Sequence, residues 1–153
     1  MSETKHFDIE VSRVIDAPPA AVFQAFTDAD RFAGWYGPPG FPAARDTVEI
    51  DPQVGGTMRF TMVADGNPSL RSGTTGRFTE VEADRILEWT QTWDGVPGQD
   101  GPWENLLRVE LTDDEDGGTR VVVREGPHAP GTTDMGRQAW EAMLAKLAAA
   151  LEP

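Results

Sequence analysis

Few residues in this chain have the types and spacing to do chemistry, and tryptophans come first among them. Trp89, Gln91 and Trp93 alternate with Glu88, Thr90 and Thr92, so in a strand the first three point to one side. Trp103 follows after the glycine- and proline-rich stretch DGVPGQDGPW and opens another alternating run. Flat indole faces wall apolar sites and stack on flat ligands. They serve equally as core, each burying a large apolar area. Trp89 suits core, while Trp93 and Trp103, beside a loop, suit a rim. Met58, Phe60 and Met62 form a softer stripe, and Phe78 and Leu107 fall in phase with the same inner surface. Methionine adapts to irregular gaps, whether a ligand or a neighbouring side chain makes them. Gln91 is the polar exception. A buried amide left unpartnered costs about 1–3 kcal/mol, so it either orients a ligand or bonds a neighbour.

His128, in GPHAPG with Glu125 and Asp134 near in sequence, is the one catalytic candidate. A histidine beside a carboxylate can act as general acid or base, although short polar loops also hold histidines for structure alone. His6 lies at the polar terminus and is read as inert. Glu80 and Glu104 either reach the cavity mouth or sit on solvated faces. Ser12, Ser69 and Ser72 lack the strand-turn-helix glycine setting of an activated serine. The absence of cysteine excludes disulfides, thiolate zinc sites and cysteine nucleophiles. No histidine-carboxylate spacing suits a metal, and Gly55-Gly56 reads as a turn rather than a phosphate cradle. No cofactor or metal is expected, and binding fits these residues better than catalysis.

The elements that must position these residues follow from hydrophobic period. Residues 7–15 alternate as a half-buried strand, with Phe7, Ile9 and Val11 opposite Asp8, Glu10 and Ser12. Pro18-Pro19 suits a helix start, and Val22, Phe23 and Phe26 give that helix one apolar stripe. Asp28 can cap a second short helix that carries Phe32 and Trp35 before Gly37-Pro38-Pro39-Gly40 ends it. Strands are then expected at Thr47–Ile50, around Met58–Met62, and at Thr75–Val81, Arg85–Trp93, Asn105–Thr112 and Thr119–Glu125. Turns at this cadence argue for an antiparallel meander. A long helix closes the chain, capped by Thr132 or Thr133, with Trp140, Met143, Leu144, Leu147 and Leu151 on one stripe. A helix dry on one side needs a sheet to lie on. The order is strand, two short helices, six strands, long helix: an α+β fold of about seven strands, read as one domain over residues 1–153.

The 153 residues suit a single apolar core. A net charge of −13 repels phosphate backbones and anionic headgroups, so neither nucleic acid nor a membrane is expected as a partner. The polar start MSETKHFDIE lacks a signal-peptide pattern, and no run nears the roughly 18 apolar residues of a membrane span. The expected location is cytoplasmic.

The opening stretch resembles the START-like superfamily of polyketide cyclases and birch-pollen allergens, in the branch named after the activator of the heat-shock chaperone ATPase. The likeness rests on Arg13-Val14-Ile15-Asp16-Ala17-Pro18, on Val22-Phe23 with Ala25-Phe26-Thr27-Asp28, and on Trp35-Tyr36-Gly37-Pro38. It continues through Val48-Glu49-Ile50-Asp51 with Gly55-Gly56, Gly76-Arg77-Phe78-Thr79-Glu80-Val81, Gly118-Thr119-Arg120 and the last helix from Trp140. It departs in Asp51-Pro52-Gln53-Val54-Gly55-Gly56, where relatives more often show a leucine and an arginine after the aspartate, and at Ala139, where they favour glycine. The resemblance implies a helix-grip fold, a curved antiparallel sheet wrapped around the terminal helix, with the opening stretch as a brace.

Three functions stay open at this point. The first is a module that holds a small apolar or aromatic molecule against Met58, Phe60, Met62, Phe78, Trp89, Gln91, Trp93, Trp103, Leu107 and Met143. The second is an enzyme of cyclase, dehydratase or hydrolase kind, with His128, Glu104 and Gln91 converging on that cavity. The third is a protein-interaction role, such as contact with a chaperone. Pairing of two copies is a further assembly the resemblance allows.

Overall fold

Alternation of apolar and polar side chains builds the frame of this computed structural model, which describes residues 6–94 and 103–152. The elements run β1 (Ile9–Ile15), α1 (Pro19–Thr27), α2 (Ala29–Trp35), β2 (Glu49–Ile50), β3 (Thr57–Ala64), β4 (Asn67–Glu82), β5 (Ile86–Trp93), β6 (Trp103–Asp113), β7 (Thr119–Gly126) and α3 (Thr133–Leu151). The strands form one antiparallel sheet in the order β1-β7-β6-β5-β4-β3-β2. From β2 to β7 each strand pairs with its sequence neighbour, and β1 joins the far edge beside β7. The curved sheet packs against α3, the α+β arrangement expected of a helix-grip fold.

Local chemistry sets the helix ends. Pro19 occupies the first turn of α1, and the Asp28 carboxylate accepts from the Arg31 amide to start α2. The Trp35 indole N–H donates to the Ala25 carbonyl at 2.9 Å and ties α2 back onto α1. α3 buries Trp140, Met143, Leu144, Leu147 and Ala148 against the sheet. Rings fill much of the interior between sheet and helices. Phe32 stacks on Tyr36 at 4.4 Å, and Tyr36 meets Phe60 edge-on at 4.7 Å and Trp140 at 5.7 Å. Such pairs add about 0.5–1.5 kcal/mol each beyond area burial.

Two strands differ most from the sequence expectation. The Thr47–Ile50 strand keeps only Glu49–Ile50, because Thr47 closes a 3-10 turn at Arg45–Thr47 and its hydroxyl donates to the Ala44 carbonyl. β4 instead begins eight residues early, at Asn67, since Asp65-Gly66 suffices for the turn, with Gly66 at φ +74°. Residues 67–71 are exposed without alternation, so period alone could not mark them as strand.

The outer face of the sheet is charged. Arg108 bonds Glu80, Glu88 and Glu110, and Arg124 joins Glu110 to Glu10. These contacts settle Glu80 on the outer face, away from any cavity mouth. Among the described residues, no helix is long and apolar enough to cross a membrane.

Candidate functional site

Strand register decides which inward side chains meet. One row crosses the sheet as Phe78, Trp89, Leu107, Glu125 and Ile9. The next step along β5 pairs Gln91 with Asn105, and the one after pairs Trp93 with Thr74 and Trp103. Besides Thr74 and Thr119, three polar residues, Gln91, Asn105 and Glu125, thus stand inside a largely apolar surface. All are buried: 1%, 8% and 3% exposed.

They are joined into a network. The Gln91 amide nitrogen donates to Glu125 Oε2 at 2.7 Å and to Asn105 Oδ1 at 2.9 Å, while its oxygen accepts from the Trp89 indole at 3.0 Å. Glu125 Oε1 lies 2.9 Å from His128 Nε2 and accepts from the Trp140 indole at 3.2 Å. His128 Nδ1 lies 2.7 Å from Asp8 Oδ1, and the His128 amide donates to Asp8 Oδ2 at 2.9 Å. Gly136 makes room for this in the first turns of α3. A Cβ there would stand 2.7 Å from Ile9 Cδ1 and 3.2 Å from His128 Nε2.

The electrostatics follow from this geometry. Burial acts to lower the His128 pKa, but the hydrogen bond and charge of Glu125, then those of Asp8, outweigh it and the net shift is upward. Burial acts to raise Asp8, yet the backbone and ring of His128 hold it below its ordinary value. Burial, and then the Glu125 charge, push the Tyr36 phenol well above its usual range. Both ring nitrogens of the imidazole face carboxylates, which favours its protonated form, and neither is free to take a proton from a substrate. That geometry is poor for a general base. Among the described residues, no three such side chains are grouped to hold a metal ion.

Two buried donors stand outside the network's bonding. Trp93 Nε1 and Asn105 Nδ2 are sealed from solvent and have no hydrogen-bond partner among the described residues. Each such donor costs on the order of 1–3 kcal/mol. They occupy diagonal positions of the β5–β6 ladder, and the Trp93 ring meets His128 edge-on with centroids 6.4 Å apart.

The proposed lining divides by depth. Met58, Phe60, Phe78, Trp89 and Leu107 are at most 1% exposed and interlock with their neighbours, Phe78 against Trp89 at 5.7 Å. Met143 is also buried, its sulfur accepting from the Gly37 amide. Met62, Trp93 and Trp103 are partly exposed. Trp103 also donates its indole N–H to the Pro127 carbonyl at 2.8 Å, next to His128. The structure thus gathers Trp89, Gln91, Trp93, Trp103 and His128 around one polar centre and sets Met62 apart on β3. The stretch Gly95–Pro102 of the glycine-rich loop lies outside the described residues.

Two sequence expectations need correction. Glu104 does not converge with His128 and Gln91; it is exposed on the outer face opposite Asn105, as alternation along β6 requires. The carboxylate on His128 Nδ1 comes from Asp8, at the other end of the chain, and Asp134 is exposed. Asp8, Asn105, Glu125 and Trp140 were not among the residues expected to line the site. Asn105 and Glu125 had a usable signal, since both fall in phase with buried apolar neighbours. A surface concavity of about 430 Å³ lined by Phe7, Asp8, Ile9, Glu10, Arg124 and Arg137 touches this centre only through Asp8.

Comparison with known proteins places this fold in a wider group. Residues 16–152 match the family model described as Activator of Hsp90 ATPase homolog 1-like protein. A protein from Chromobacterium violaceum superposes with a TM-score of 0.82 at 26% identity, covering 95% of this chain and 97% of that one. The AHSA1 protein of Silicibacter pomeroyi superposes at 0.79 with 21% identity over 94% of this chain and 96% of its own. A Mycobacterium smegmatis protein does so at 0.76 with 18% identity, over 99% and 96%. At these lower identities the likeness speaks for the fold alone. A search of curated proteins finds no match.

Proposed function

Because the chain belongs to the family of Activator of Hsp90 ATPase homolog 1-like proteins, we propose that it is a ligand-binding domain that holds a small apolar or aromatic molecule without transforming it. One observation carries this reading. A hydrogen-bonded polar centre, Gln91, Asn105, Glu125 and His128, lies sunk in an apolar interior beside the partly exposed indoles of Trp93 and Trp103. A core built for stability alone gains little from such a centre, since apolar side chains of the same volume avoid its desolvation cost. Small-molecule sites commonly combine apolar walls with a few placed polar groups.

Binding is assigned to the shallow end of the interior. Trp93 and Trp103 form the contact surface there, with Gln91 behind them. Met58, Phe60, Phe78, Trp89, Leu107 and Met143 support that surface from below. His128 is a structural cation in this reading, because both of its nitrogens are engaged by carboxylates.

Tryptophan-fluorescence and thermal-shift titration with 2-naphthol and related flat aromatics tests the assignment. Saturable quenching with a rise in Tm is expected, and Trp103→Ala, which removes one partly exposed indole of the contact surface, should weaken it at least tenfold. Absence of saturable binding across the series overturns the reading.

A further inference from the structure

Trp93 and Asn105 add a chemical preference to this site. Their side chains present N–H donors with no partner among the described residues, and they stand on diagonal positions of adjacent strands. Asn105 is 8% exposed, and its other amide atom is already used by Gln91. The donors therefore ask for an acceptor that the described residues do not supply. The charges nearby restrict what that acceptor can be. The buried carboxylate of Glu125 lies one hydrogen-bonded step from Asn105, since the same Gln91 amide donates to both, while Asp8, on the other side of His128, shares its concavity with Arg124 and Arg137. A ligand anion brought into this low-dielectric setting is repelled, whereas an uncharged oxygen is not.

We propose that the site selects flat apolar molecules bearing an uncharged hydrogen-bond acceptor, such as a ketone, ester or amide carbonyl, whose oxygen is received by Trp93 Nε1 and Asn105 Nδ2. This rests on the binding reading above and adds to it the class of ligand. The indoles of Trp93 and Trp103 supply the apolar contact, and the two donors discriminate between molecules of equal shape. A site built around polar donors rejects an analogue that leaves them unpaired more strongly than a purely apolar pocket can.

The test uses three probes of similar shape on the full chain: 2-acetonaphthone, its hydrocarbon counterpart 2-ethylnaphthalene, and 2-naphthoate. Affinities come from fluorescence titration, and nitrogen-proton correlation spectra follow the indole and side-chain amide resonances of the unaltered protein. The ketone should bind about tenfold tighter than the hydrocarbon, the worth of one or two net hydrogen bonds. It should also move the Trp93 indole and Asn105 amide protons downfield, and the carboxylate should bind more weakly than the ketone. Trp93→Phe, which deletes one donor while keeping an aromatic ring, should narrow the ketone preference several-fold. Equal binding of ketone and hydrocarbon without movement of those resonances, or tightest binding of the carboxylate, overturns the acceptor proposal while leaving the binding site standing. If none of the three probes binds, the binding reading itself fails and the proposal falls with it.

Discussion

Glu125 and His128, three residues apart across the end of β7, form a buried ion pair at 2.9 Å, with their side chains 3% and 4% exposed. Such a pair is weak evidence of net stabilisation, because two charges have lost their water. Breaking it is another matter. His128→Ala leaves Glu125 buried without its cation and should cost about 3–5 kcal/mol by urea unfolding. The double variant His128→Ala with Glu125→Gln should recover part of that loss, since no charge is stranded. Additive losses in this double-mutant cycle would mean the two groups are not coupled.

Stability should depend on pH through the same cluster, with opposite signs at its two ends. The folded-state pKa of His128 is raised above 6.5, so its contribution is present in full below that value and fades as pH climbs through the folded-state pKa. Asp8 is lowered from 3.8, so its contribution is present above that value and is lost as pH falls through the folded-state pKa. Melting temperature should therefore be highest between about pH 4 and 6.5 and decline on both sides. The alkaline decline should be reduced in His128→Gln. A wild-type melting temperature that keeps climbing through pH 8, or an unchanged alkaline limb in the variant, contradicts this account.

On the outer face, Arg108 is the hub. Its guanidinium reaches Glu80 at 2.7 Å, Glu88 at 2.8 Å and Glu110 at 3.1 Å, and Glu88 is only 3% exposed. Arg108→Ala is expected to cost about 3 kcal/mol in thermal or chemical unfolding, mostly from the buried end of the cluster. Arg108→Lys should rescue little, because a single ammonium cannot reproduce a fork that serves three carboxylates. Rescue to near wild-type stability by lysine would show that charge alone matters there.

Period-two alternation made the inner face of β5 readable. Trp89, Gln91 and Trp93 were legible as one surface, and so was the helix stripe from Trp140 to Leu147. The partners of Gln91 were not, because Gln91 meets Asn105 only through the β5–β6 register, and register depends on a connection the pattern does not fix. Asp8 was harder still. It precedes β1, was counted with the polar side of that strand, and meets His128 across 120 positions of sequence. No local rule reaches so far. The misplacement of Glu104 had the opposite cause: its alternation with Asn105 was available in the sequence and puts it outside.

The closure of β1 onto β7 has a consequence for how the protein is born. The bond between Asp8 and the His128 amide joins one of the first residues to one just ahead of the last helix. On the ribosome the amides of Gln91 and Asn105 emerge well before Glu125 and His128 exist to receive them. The polar centre is thus among the last parts to mature, and contacts of such long range make for slow folding. A nascent chain halted before residue 125 carries the indoles and amides of its future site uncovered, at the stage when a chain is most prone to stick to its neighbours.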